Sequence, residues 1–279
     1  MTEEKTRSYL EDKARQLRQN VVEMIGVGKA GHLGGSCSMA DVVAALYFHV
    51  MHHDPRQPKM PDRDRFLLSK GHAALIQYAA LAECGYFDRE WFGTLKKLGS
   101  RLQGHPDMRK TPGIEANTGS LGQGVSLAAG LAAGLRLDHK KARVYVIVGD
   151  GELAEGQIWE AFMAAVNYGL DNLCIIIDKN GLQATGRTAD RFCTEPLKEK
   201  LMAFGLEQIE IDGHDMAQIL EAFEIAEKTK GRPTVILANT VKGKGVSFAE
   251  NVTGFHNGTM TKEQYDCAMA ELEKAGGMA

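Results

Sequence analysis

Residues 144–151 of the chain are Val-Tyr-Val-Ile-Val-Gly-Asp-Gly, and residues 173–182 are Leu-Cys-Ile-Ile-Ile-Asp-Lys-Asn-Gly-Leu. Each stretch begins as an apolar run of strand length and ends in a polar turn that contains glycine, and a helical pattern lies between them. Two strands joined by one crossover helix are expected to run parallel. The pattern therefore places Asp150 and Asn180 together at the carboxyl edge of one sheet, where open α/β folds bind their ligands.

Asp150 and Asn180 carry the oxygen donors of a magnesium site. A carboxylate, an amide oxygen and a nearby backbone carbonyl are hard ligands that suit Mg²⁺, which takes its remaining ligands from a phosphate and water. Two structural roles stay open, because Asp150 could cap the next helix and Asn180 could fill a turn. The glycines on both sides of Asp150 favour the ligand interpretation, since they permit a close approach of the backbone.

The rest of the chain continues this alternation of strands and helices. Further strands are predicted at 66–69, 206–212 and 233–239, and helices at 5–27, 39–51, 73–84, 121–137, 216–228 and 261–274. The segments 26–35, 99–120 and 185–198 are predicted to be loops or irregular. The alternation predicts an α/β fold with a mostly parallel sheet, and the whole chain, 1–279, is expected to form one domain.

Composition and charge exclude several classes of protein. The 279 residues carry a formal net charge of −3, so no basic field indicates nucleic acid. The five cysteines are widely spaced without a CxxC pair, which argues against a disulfide framework or a zinc site and fits a reducing cytoplasm. Residues 1–18 lack the apolar core of a signal peptide, and the longest apolar run, 125–135, is too short to span a bilayer. A cytoplasmic protein without nucleic-acid or membrane partners is expected.

Residues 26–31, Gly-Val-Gly-Lys-Ala-Gly, match the GxGxxG spacing of dinucleotide sites. That motif needs a strand before it and a helix at its third glycine. Here a helical pattern comes first and the glycine-rich loop continues to Gly35, so a nicotinamide site is not expected. The segment is either a mobile loop with glycines for tight turns or a ligand-facing loop that presents His32.

Four histidines lie in loops beside glycine or proline: His32, His72, His105 and His256. Their small neighbours indicate a shared polar pocket, in which imidazoles hydrogen-bond hydroxyl or phosphate groups. Incidental loop positions are the alternative. No pair has the HxxxH spacing of a helical metal site, so a metal centre built from them is not expected.

Two glycine-bearing segments offer further binding groups. Residues 242–245, Lys-Gly-Lys-Gly, follow a predicted strand without the spacing of a phosphate P-loop. They form either a solvated turn or a loop whose lysine reaches an anionic group. Residues 119–124, Gly-Ser-Leu-Gly-Gln-Gly, begin a helix of small residues, where the glycines allow close helix packing or leave backbone amides facing a ligand.

In this order, these segments resemble the transketolase family. The resemblance is carried by 30–36 (AGHLGGS), 64–73 (DRFLLSKGHA), 104–106 (GHP), 119–124 (GSLGQG), 149–151 (GDG) with Asn180, 212–215 (DGHD), and 242–245 (KGKG) with Phe255 and His256. It extends from about residue 15 to residue 260 and implies the three-layer α/β/α thiamine-diphosphate-binding fold. The part that matches is the diphosphate-binding domain, with the helix at 261–274 as a C-terminal tail.

The resemblance implies a set of site residues. Asp150, Asn180 and the carbonyl of Leu182 would bind Mg²⁺, for which Ca²⁺ or Mn²⁺ could substitute. Thiamine diphosphate would be held by His72, Gly119, Leu121, Gly151, Glu155, Asn180 and Lys242. The catalytic histidines, which would face the sugar hydroxyls and the reacting carbon, would be His32, His105 and His256. Glu155 and Glu160 resemble acidic residues buried between paired active sites, although an ordinary helix face explains them as well.

The resemblance also implies a partner. A complete transketolase is more than twice as long, and the glutamate that activates the cofactor lies in a pyrimidine-binding domain that no segment here matches. The chain is therefore expected to be the N-terminal subunit of a split transketolase, inactive alone. A separate subunit with the pyrimidine-binding and C-terminal domains would join it in an α2β2 heterotetramer. The alternative of a fragment of a longer enzyme is disfavoured by the glycine-rich end at 276–279.

The activity that the resemblance implies is two-carbon ketol transfer from a ketose, such as a sugar phosphate, to an aldose through a dihydroxyethyl adduct of thiamine diphosphate. This reaction belongs to carbohydrate metabolism and the pentose phosphate pathway. Three alternatives remain: a split enzyme for a sulfonated, deoxy or branched ketose, a relative of deoxyxylulose-phosphate synthase, and a non-catalytic subunit that only binds cofactor.

Overall fold

A computed structural model describes residues 2–274, so the predicted chain end at 276–279 lies outside the described residues. The strands, in chain order, are β1 (Arg65–Leu68), β2 (Val144–Gly149), β3 (Leu173–Lys179), β4 (Leu182–Gln183), β5 (Gly186–Arg187), β6 (Glu207–Asp212) and β7 (Thr234–Asn239). Five of them form one parallel sheet in the spatial order β1-β2-β3-β7-β6. The other two, β4 and β5, form a small antiparallel ribbon directly after β3.

The helices, in chain order, are α1 (Glu3–Ile25), α2 (Leu33–Cys37), α3 (Ala40–Ala45), α4 (Ala74–Glu83), α5 (Gln123–Leu137), α6 (Gly156–Asn167), α7 (Thr188–Arg191), α8 (Leu197–Ala203), α9 (Met216–Lys228) and α10 (Lys262–Lys274). Short 3₁₀ turns occupy Gly71–Ala73, Arg89–Thr94, Gly151–Ala154 and Thr253–His256. None of the helices in residues 2–274 is long and apolar enough to cross a membrane.

Helices cover both faces of the sheet and give a three-layer α/β/α arrangement. On one face, Tyr145 and Ile147 of β2 pack in a core with α1, α3, α4 and α9. On the other face, Val146 and Val148 pack with α5, α6 and α8. Because both faces are buried, the central strands are continuous apolar runs, and this is the pattern that made them recognisable in the sequence. The predicted α/β fold with a mostly parallel sheet is confirmed.

The segment 26–35, predicted as one glycine-rich loop, differs from that prediction in its second half. Helix α2 begins at Leu33, so the loop ends at His32. Gly34 is buried, and a Cβ there would lie 2.9 Å from Lys242 Cγ and 3.1 Å from the carbonyl oxygen of Phe255. The glycine is required by close packing, which local propensity does not report.

Two other segments also differ from their predictions. The helix expected at 39–51 consists of α3 followed by a π-helical turn at Leu46–Val50. Residues 185–198, expected to be irregular, contain β5, α7 and the start of α8. Both differences reflect tertiary packing, which overrides weak local preferences.

Candidate functional site

Asp150 and Asn180 meet at the carboxyl edge of the sheet. Gly149 of β2 pairs with Asp178 of β3, so the turns after the two strands are adjacent. The buried carboxylate of Asp150 accepts hydrogen bonds from the backbone N–H groups of Gly181, at 2.6 Å, and Gly151, at 2.8 Å. The second bond is the helix cap that the structural alternative expected. The structure thus joins Asp150 to the turn that holds Asn180.

Burial makes the Asp150 carboxyl responsive to a cation. Loss of solvent, followed by the nearby charge of Asp178, raises the pKa of Asp150 to about 6, although hydrogen bonds from Gly181 and Gly151 oppose the rise. A carboxylate that is poorly solvated gains more from a nearby positive charge than an exposed one does. A cation at this position would therefore favour the ionised form of Asp150.

The carbonyl of Leu182 also points toward positive charge. Its oxygen accepts a hydrogen bond of 2.8 Å from Lys242 Nζ. Lys242 is 3 % exposed, and burial, together with the charge of Lys70, lowers the pKa of Lys242 to about 8. Asn180 contributes its side-chain oxygen to the same turn, where that oxygen accepts the N–H of Leu182 at 3.1 Å. Three kinds of oxygen donor thus converge near one buried lysine.

Three of the four loop histidines form one cluster. The ring centroids of His32 and His72 are 5.0 Å apart, those of His72 and His256 4.9 Å, and those of His32 and His256 5.5 Å. An isolated β-bridge pairs Gly31 with Gly258. This bridge brings the loop that carries His32 next to the loop that carries His256. The structure thus brings together three of the four loop histidines that were predicted to share a pocket.

Burial keeps the clustered imidazoles uncharged at neutral pH. Burial, with smaller effects from neighbouring lysines and histidines, lowers the pKa of His32 and of His256 to about 4 and that of His72 to about 2. The Nδ1 atom of His256 is buried and has no hydrogen-bond partner within residues 2–274. A buried polar atom without a partner indicates a place for a polar ligand group.

His105 lies at the edge of this cluster and is exposed. A Cβ at Gly119 would lie 2.4 Å from His105 Cδ2, so the close approach of the imidazole requires a residue without a side chain. Gly119 in turn abuts Gly71, where a Cβ would lie 2.6 Å from the backbone nitrogen of Gly119. These two close approaches connect His105 to the turn that carries His72.

A cavity of about 240 Å³ opens between these elements. Seven predicted site residues line it, and two of them, Asp150 and Asn180, are predicted metal ligands: His72, Leu121, Asp150, Gly151, Asn180, Lys242 and His256. The carbonyl-bearing Leu182 lines it as well. Four predicted residues lie outside the lining: His32, His105, Gly119 and Glu155. Glu155 and Glu160 are exposed on this chain.

An ion pair whose lysine, Lys70, lines the cavity escaped the sequence-based prediction. Asp178 is fully buried and accepts hydrogen bonds from Lys70 Nζ at 2.5 Å, Ser38 Oγ at 2.7 Å and Asn180 Nδ2 at 3.0 Å. Burial favours the neutral acid, but Lys70 and the hydroxyl donors hold the pKa of Asp178 below its usual value. The signal that could have revealed it is a carboxylate that directly ends an apolar strand, two residues before Asn180.

Glu152 is a second residue that the sequence did not assign to the site. Its buried carboxylate accepts hydrogen bonds from Ser69 Oγ at 2.5 Å and from the N–H groups of Gly122 at 2.8 Å and Gly149 at 3.1 Å. Burial raises the pKa of Glu152. This side chain ties the ends of β1 and β2 to the start of α5, and so fixes the walls of the cavity.

Comparisons with known proteins agree with this geometry. The family model described as "Transketolase, thiamine diphosphate binding domain" matches residues 10–275. The 6-deoxy-6-sulfo-D-fructose transketolase subunit SqwG of Clostridium sp. (strain MSTE9) is 47% identical over 96% of this chain and 97% of its own length. An apulose-4-phosphate transketolase subunit of Actinobacillus succinogenes is 42% identical over 95% of this chain and 96% of its own length.

A solved structure of a transketolase has the same fold as this chain. The transketolase from Leishmania mexicana superimposes with a TM-score of 0.90 at 33% sequence identity, over 95% of this chain. The match spans 41% of that longer chain. The relatives of matching length are named as transketolase subunits, so the predicted N-terminal subunit of a split transketolase is confirmed. The chain belongs to the transketolase family and contains its thiamine diphosphate binding domain.

Proposed function

We propose that the cavity binds the diphosphate end of thiamine diphosphate together with Mg²⁺, and that a second polypeptide completes the active site. The observation that carries this proposal is the convergence of Asp150, the Asn180 side chain and the Leu182 carbonyl beside Lys242. These hard oxygen donors suit Mg²⁺, with Ca²⁺ or Mn²⁺ as substitutes. The lysine supplies positive charge for a diphosphate.

The dimensions and free polar groups of the cavity support this assignment. Gly151 lines the cavity, and a Cβ there would lie 2.9 Å from Gln183 Oε1, so only glycine leaves the backbone accessible. The buried Nδ1 of His256 has no partner in the described part of the chain and suits a polar ligand atom. The 240 Å³ volume is below the range of about 300–1,000 Å³ typical of small-molecule sites. It suits one end of the cofactor and leaves the other for a partner.

Each predicted residue has a distinct task in this proposal. His72, Gly151 and Lys242 would bind the diphosphate, and Leu121 and Gly119 would contact the aminopyrimidine end. Thiamine diphosphate supplies a carbon nucleophile that receives the two-carbon unit. His32, His105 and His256 hydrogen-bond the sugar and hold or release protons at its oxygens, because neutral imidazoles both donate and accept. Glu155 and Glu160 face the partner from the exposed start of α6.

The partner in this proposal is a C-terminal subunit that contains the pyrimidine-binding and C-terminal domains. Residues 1–279 form a single diphosphate-binding domain with α10 as its tail, and two copies of each polypeptide make an α2β2 heterotetramer. The support is that relatives of the same length are named as subunits of transketolases. A cytoplasmic location, which the five separate cysteines favour, belongs to the same proposal.

The reaction we propose is ketol transfer from a ketose phosphate or related sugar to an aldose, within carbohydrate metabolism. A role in the pentose phosphate pathway and use of a less common ketose are both compatible with the site. The second option is favoured by relatives named for 6-deoxy-6-sulfo-D-fructose and apulose-4-phosphate. A non-catalytic role is disfavoured because the histidine cluster and the turn that joins Asp150 to Asn180 are complete, whereas a synthase-like role is the alternative that substrate assays decide.

The test is reconstitution with the C-terminal subunit encoded nearest to this chain. Each chain is assayed alone and mixed, with Mg²⁺ and thiamine diphosphate, against pentulose phosphates, 6-deoxy-6-sulfo-D-fructose and apulose-4-phosphate. We expect transfer to an aldose only in the mixture. Robust turnover by this chain alone would refute the need for a partner, and a mixture that binds cofactor without acting on any ketose would support the non-catalytic role.

A further inference from the structure

The turn 212–215, Asp-Gly-His-Asp, lies between β6 and α9 and outside the cavity. A Cβ at Gly213 would lie 2.5 Å from Thr240 Cγ2 and 3.1 Å from the carbonyl oxygen of Asn239. The N–H of Gly213 donates to that same carbonyl at 2.8 Å. The turn is therefore pressed against the end of β7, where the chain enters the loop that carries Lys242.

The imidazole of His214 makes two directional hydrogen bonds from this turn. The backbone N–H of Val241 donates to His214 Nε2 at 2.9 Å, so Nε2 carries no proton. The proton of the neutral ring is consequently on Nδ1, which donates to Asp41 Oδ2 at 2.7 Å. This arrangement defines both the tautomer and the orientation of the ring.

Asp41 is in turn held by Arg18. The guanidinium donates to the two carboxylate oxygens at 3.2 and 2.5 Å, and its Nε donates to the carbonyl of Cys37 at 3.3 Å. Both residues are 7 % exposed. Burial opposes ionisation, but Arg18 and His214 lower the pKa of Asp41 to about 2. The charged side chains of Arg18, in α1, and Asp41, in α3, thus hold the imidazole of His214 in place.

Val241 directly precedes Lys242, whose path to the cavity is narrow. The Lys242 Cγ would lie 2.9 Å from a Cβ at Gly34, so the side chain has little lateral freedom before its Nζ reaches the Leu182 carbonyl. The backbone after Val241 is held by Gly34, which accepts the N–H of Gly243 at 3.0 Å, and by the N–H of Asn251, which donates to Lys242 at 2.8 Å. His214 holds the other side of this short segment.

We propose that His214 is a positioning residue that acts through the N–H of Val241 to aim Lys242 at the cofactor site, with Asp41 and Arg18 fixing its ring. The inference rests on the proposed role of Lys242 in cofactor binding. His214 itself does not line the cavity, and so its effect is transmitted by the backbone. Residues that orient a ligand-binding group through one intermediate contact typically change affinity by about 10–100-fold.

Two substitutions separate the two hydrogen bonds of His214. In His214→Gln, the terminal amide oxygen can reach the position of Nε2 and accept from Val241, while the bond to Asp41 is lost. In His214→Asn, the amide nitrogen can replace Nδ1 and donate to Asp41, while the Val241 N–H is left without a partner. Each variant loses one bond, so a purely structural role predicts similar affinity in both, or a weaker Gln variant.

The measurement is calorimetric titration of thiamine diphosphate, with Mg²⁺ present, into the complex of this chain with its C-terminal subunit. We expect His214→Asn to weaken binding roughly tenfold or more and raise the KM for cofactor, while kcat at saturation stays near wild type. His214→Gln should remain within about threefold of wild type. Equal affinities, or weaker binding by the Gln variant, would overturn the inference.

Two further measurements distinguish a failure of the positioning role from a folding defect and from a failure of the proposed function. Amide exchange on the free wild-type chain should show protection at Val241, and rapid exchange there would overturn the inference even if His214→Asn did not fold. Lys242→Met is titrated in parallel. If it binds cofactor normally, the proposed role of Lys242 is wrong. If it binds weakly while His214→Asn does not, only the positioning role is wrong.

Discussion

Lys70 and Asp178 form an ion pair with almost no access to solvent, and Lys70 lines the cavity of the proposed diphosphate site. Removing two charges from water is unfavourable, and their attraction offsets this only when further hydrogen bonds are made. Asp178 meets that condition through Ser38 and Asn180, and Lys70 through the carbonyl of Gly35 at 2.7 Å. The pair holds the Asn180 amide so that its oxygen is turned toward Leu182.

Lys70→Met should be strongly destabilising, because it leaves the carboxylate of Asp178 buried without its counter-charge. We expect the free energy of unfolding, measured by urea denaturation, to fall by about 3–5 kcal/mol. The matched control is Lys228→Met, which removes an exposed pair with Glu224 four residues away on α9. That change should alter stability by less than about 0.5 kcal/mol. Equal losses in both variants would contradict the importance of the buried pair.

Asp150→Asn tests the proposed metal site with little change in shape. The amide oxygen can still accept a backbone hydrogen bond, but the negative charge needed by a divalent cation is absent. Calorimetry on the reconstituted complex should detect no Mg²⁺-dependent binding of thiamine diphosphate. Asp88→Asn, at an exposed position before a 3₁₀ turn, serves as the control and should bind normally. Retained affinity in Asp150→Asn would rule out the metal assignment.

The stability of the free chain with the same substitution, relative to wild type, should rise with pH. The pKa of Asp150 is raised to about 6, so between about pH 4 and pH 6 the folded state keeps a proton that the unfolded state has lost. The contribution of this group to stability therefore falls as pH rises through that window. Urea midpoints of Asp150→Asn relative to wild type should increase from pH 4 to pH 7 without metal. A constant difference would contradict the raised pKa.

At the scale of elements, α5 shows how glycines in one helix differ in purpose. A Cβ at Gly124 would lie 2.3 Å from Ser69 Oγ and 2.7 Å from Ser69 Cα, so the first turn of α5 touches the backbone at the end of β1. At Gly130, no atom of the described residues other than the neighbouring residues and the backbone of the same helix lies within 4 Å of that position. Only the first glycine is required for packing against the sheet.

Gly124→Ala should destabilise the chain by about 1–3 kcal/mol, because overpacking forces α5 away from β1. Gly130→Ala, in the interior of the same helix, should stabilise it by about 0.5–1 kcal/mol, since alanine restricts the unfolded chain and favours helix. Thermal unfolding of the isolated chain compares the two. A loss of stability in both variants, or in neither, would show that the close contact at Ser69 has no energetic effect.

The same contrast explains which elements could be predicted from sequence. The strands β2, β3 and β7 were recognisable because both of their faces are buried, and α9 was predicted at its observed bounds, Met216–Lys228. Helix α2 was missed because its glycines indicate a loop unless one knows that Lys242 packs on them. Local patterns report burial well, but they do not report contacts between distant segments.

The candidate site was predictable to a similar extent. Asp150 and Asn180 could be placed together because a crossover joins their strands, and loop histidines could be grouped by their glycine neighbours. The buried pair of Lys70 and Asp178 has no periodic signature, since each partner is a single charge in an otherwise ordinary segment 108 residues from the other. Such pairs become visible only when the fold is known.

At the scale of the whole molecule, the cavity lies at the carboxyl edge of the parallel sheet. The groups that would bind an anion there all come from this one chain. Lys242, the Asp150 carboxylate and the Asn180 turn all follow strands of this sheet. Leu121, Leu182 and Ala184 supply apolar side chains to the lining, and the volume of about 240 Å³ leaves room for one end of the cofactor. Under the proposed function, the chain would recognise the charged end of the cofactor, and the partner subunit would contribute most of the affinity for the rings.

Inorganic pyrophosphate offers a direct test of that division. With Mg²⁺, the isolated chain should bind pyrophosphate within about tenfold of its affinity for thiamine diphosphate, because the rings meet few groups on this chain. Addition of the C-terminal subunit should tighten thiamine diphosphate by at least about 100-fold and leave pyrophosphate nearly unchanged. Calorimetry with both ligands supplies the comparison. A large preference for thiamine diphosphate by the isolated chain would contradict the half-site description.

The close contact among His32, His72 and His256 limits how many protons these three rings can bind at a given pH. Two imidazolium rings about 5 Å apart would repel each other by roughly 3 kcal/mol at an effective dielectric constant near 20, which is equivalent to about two pH units. The first proton that binds to the trio therefore keeps a second from binding until the solution is far more acidic. The three rings titrate as one group with shared macroscopic constants, and they carry at most one positive charge over a wide range of acidity.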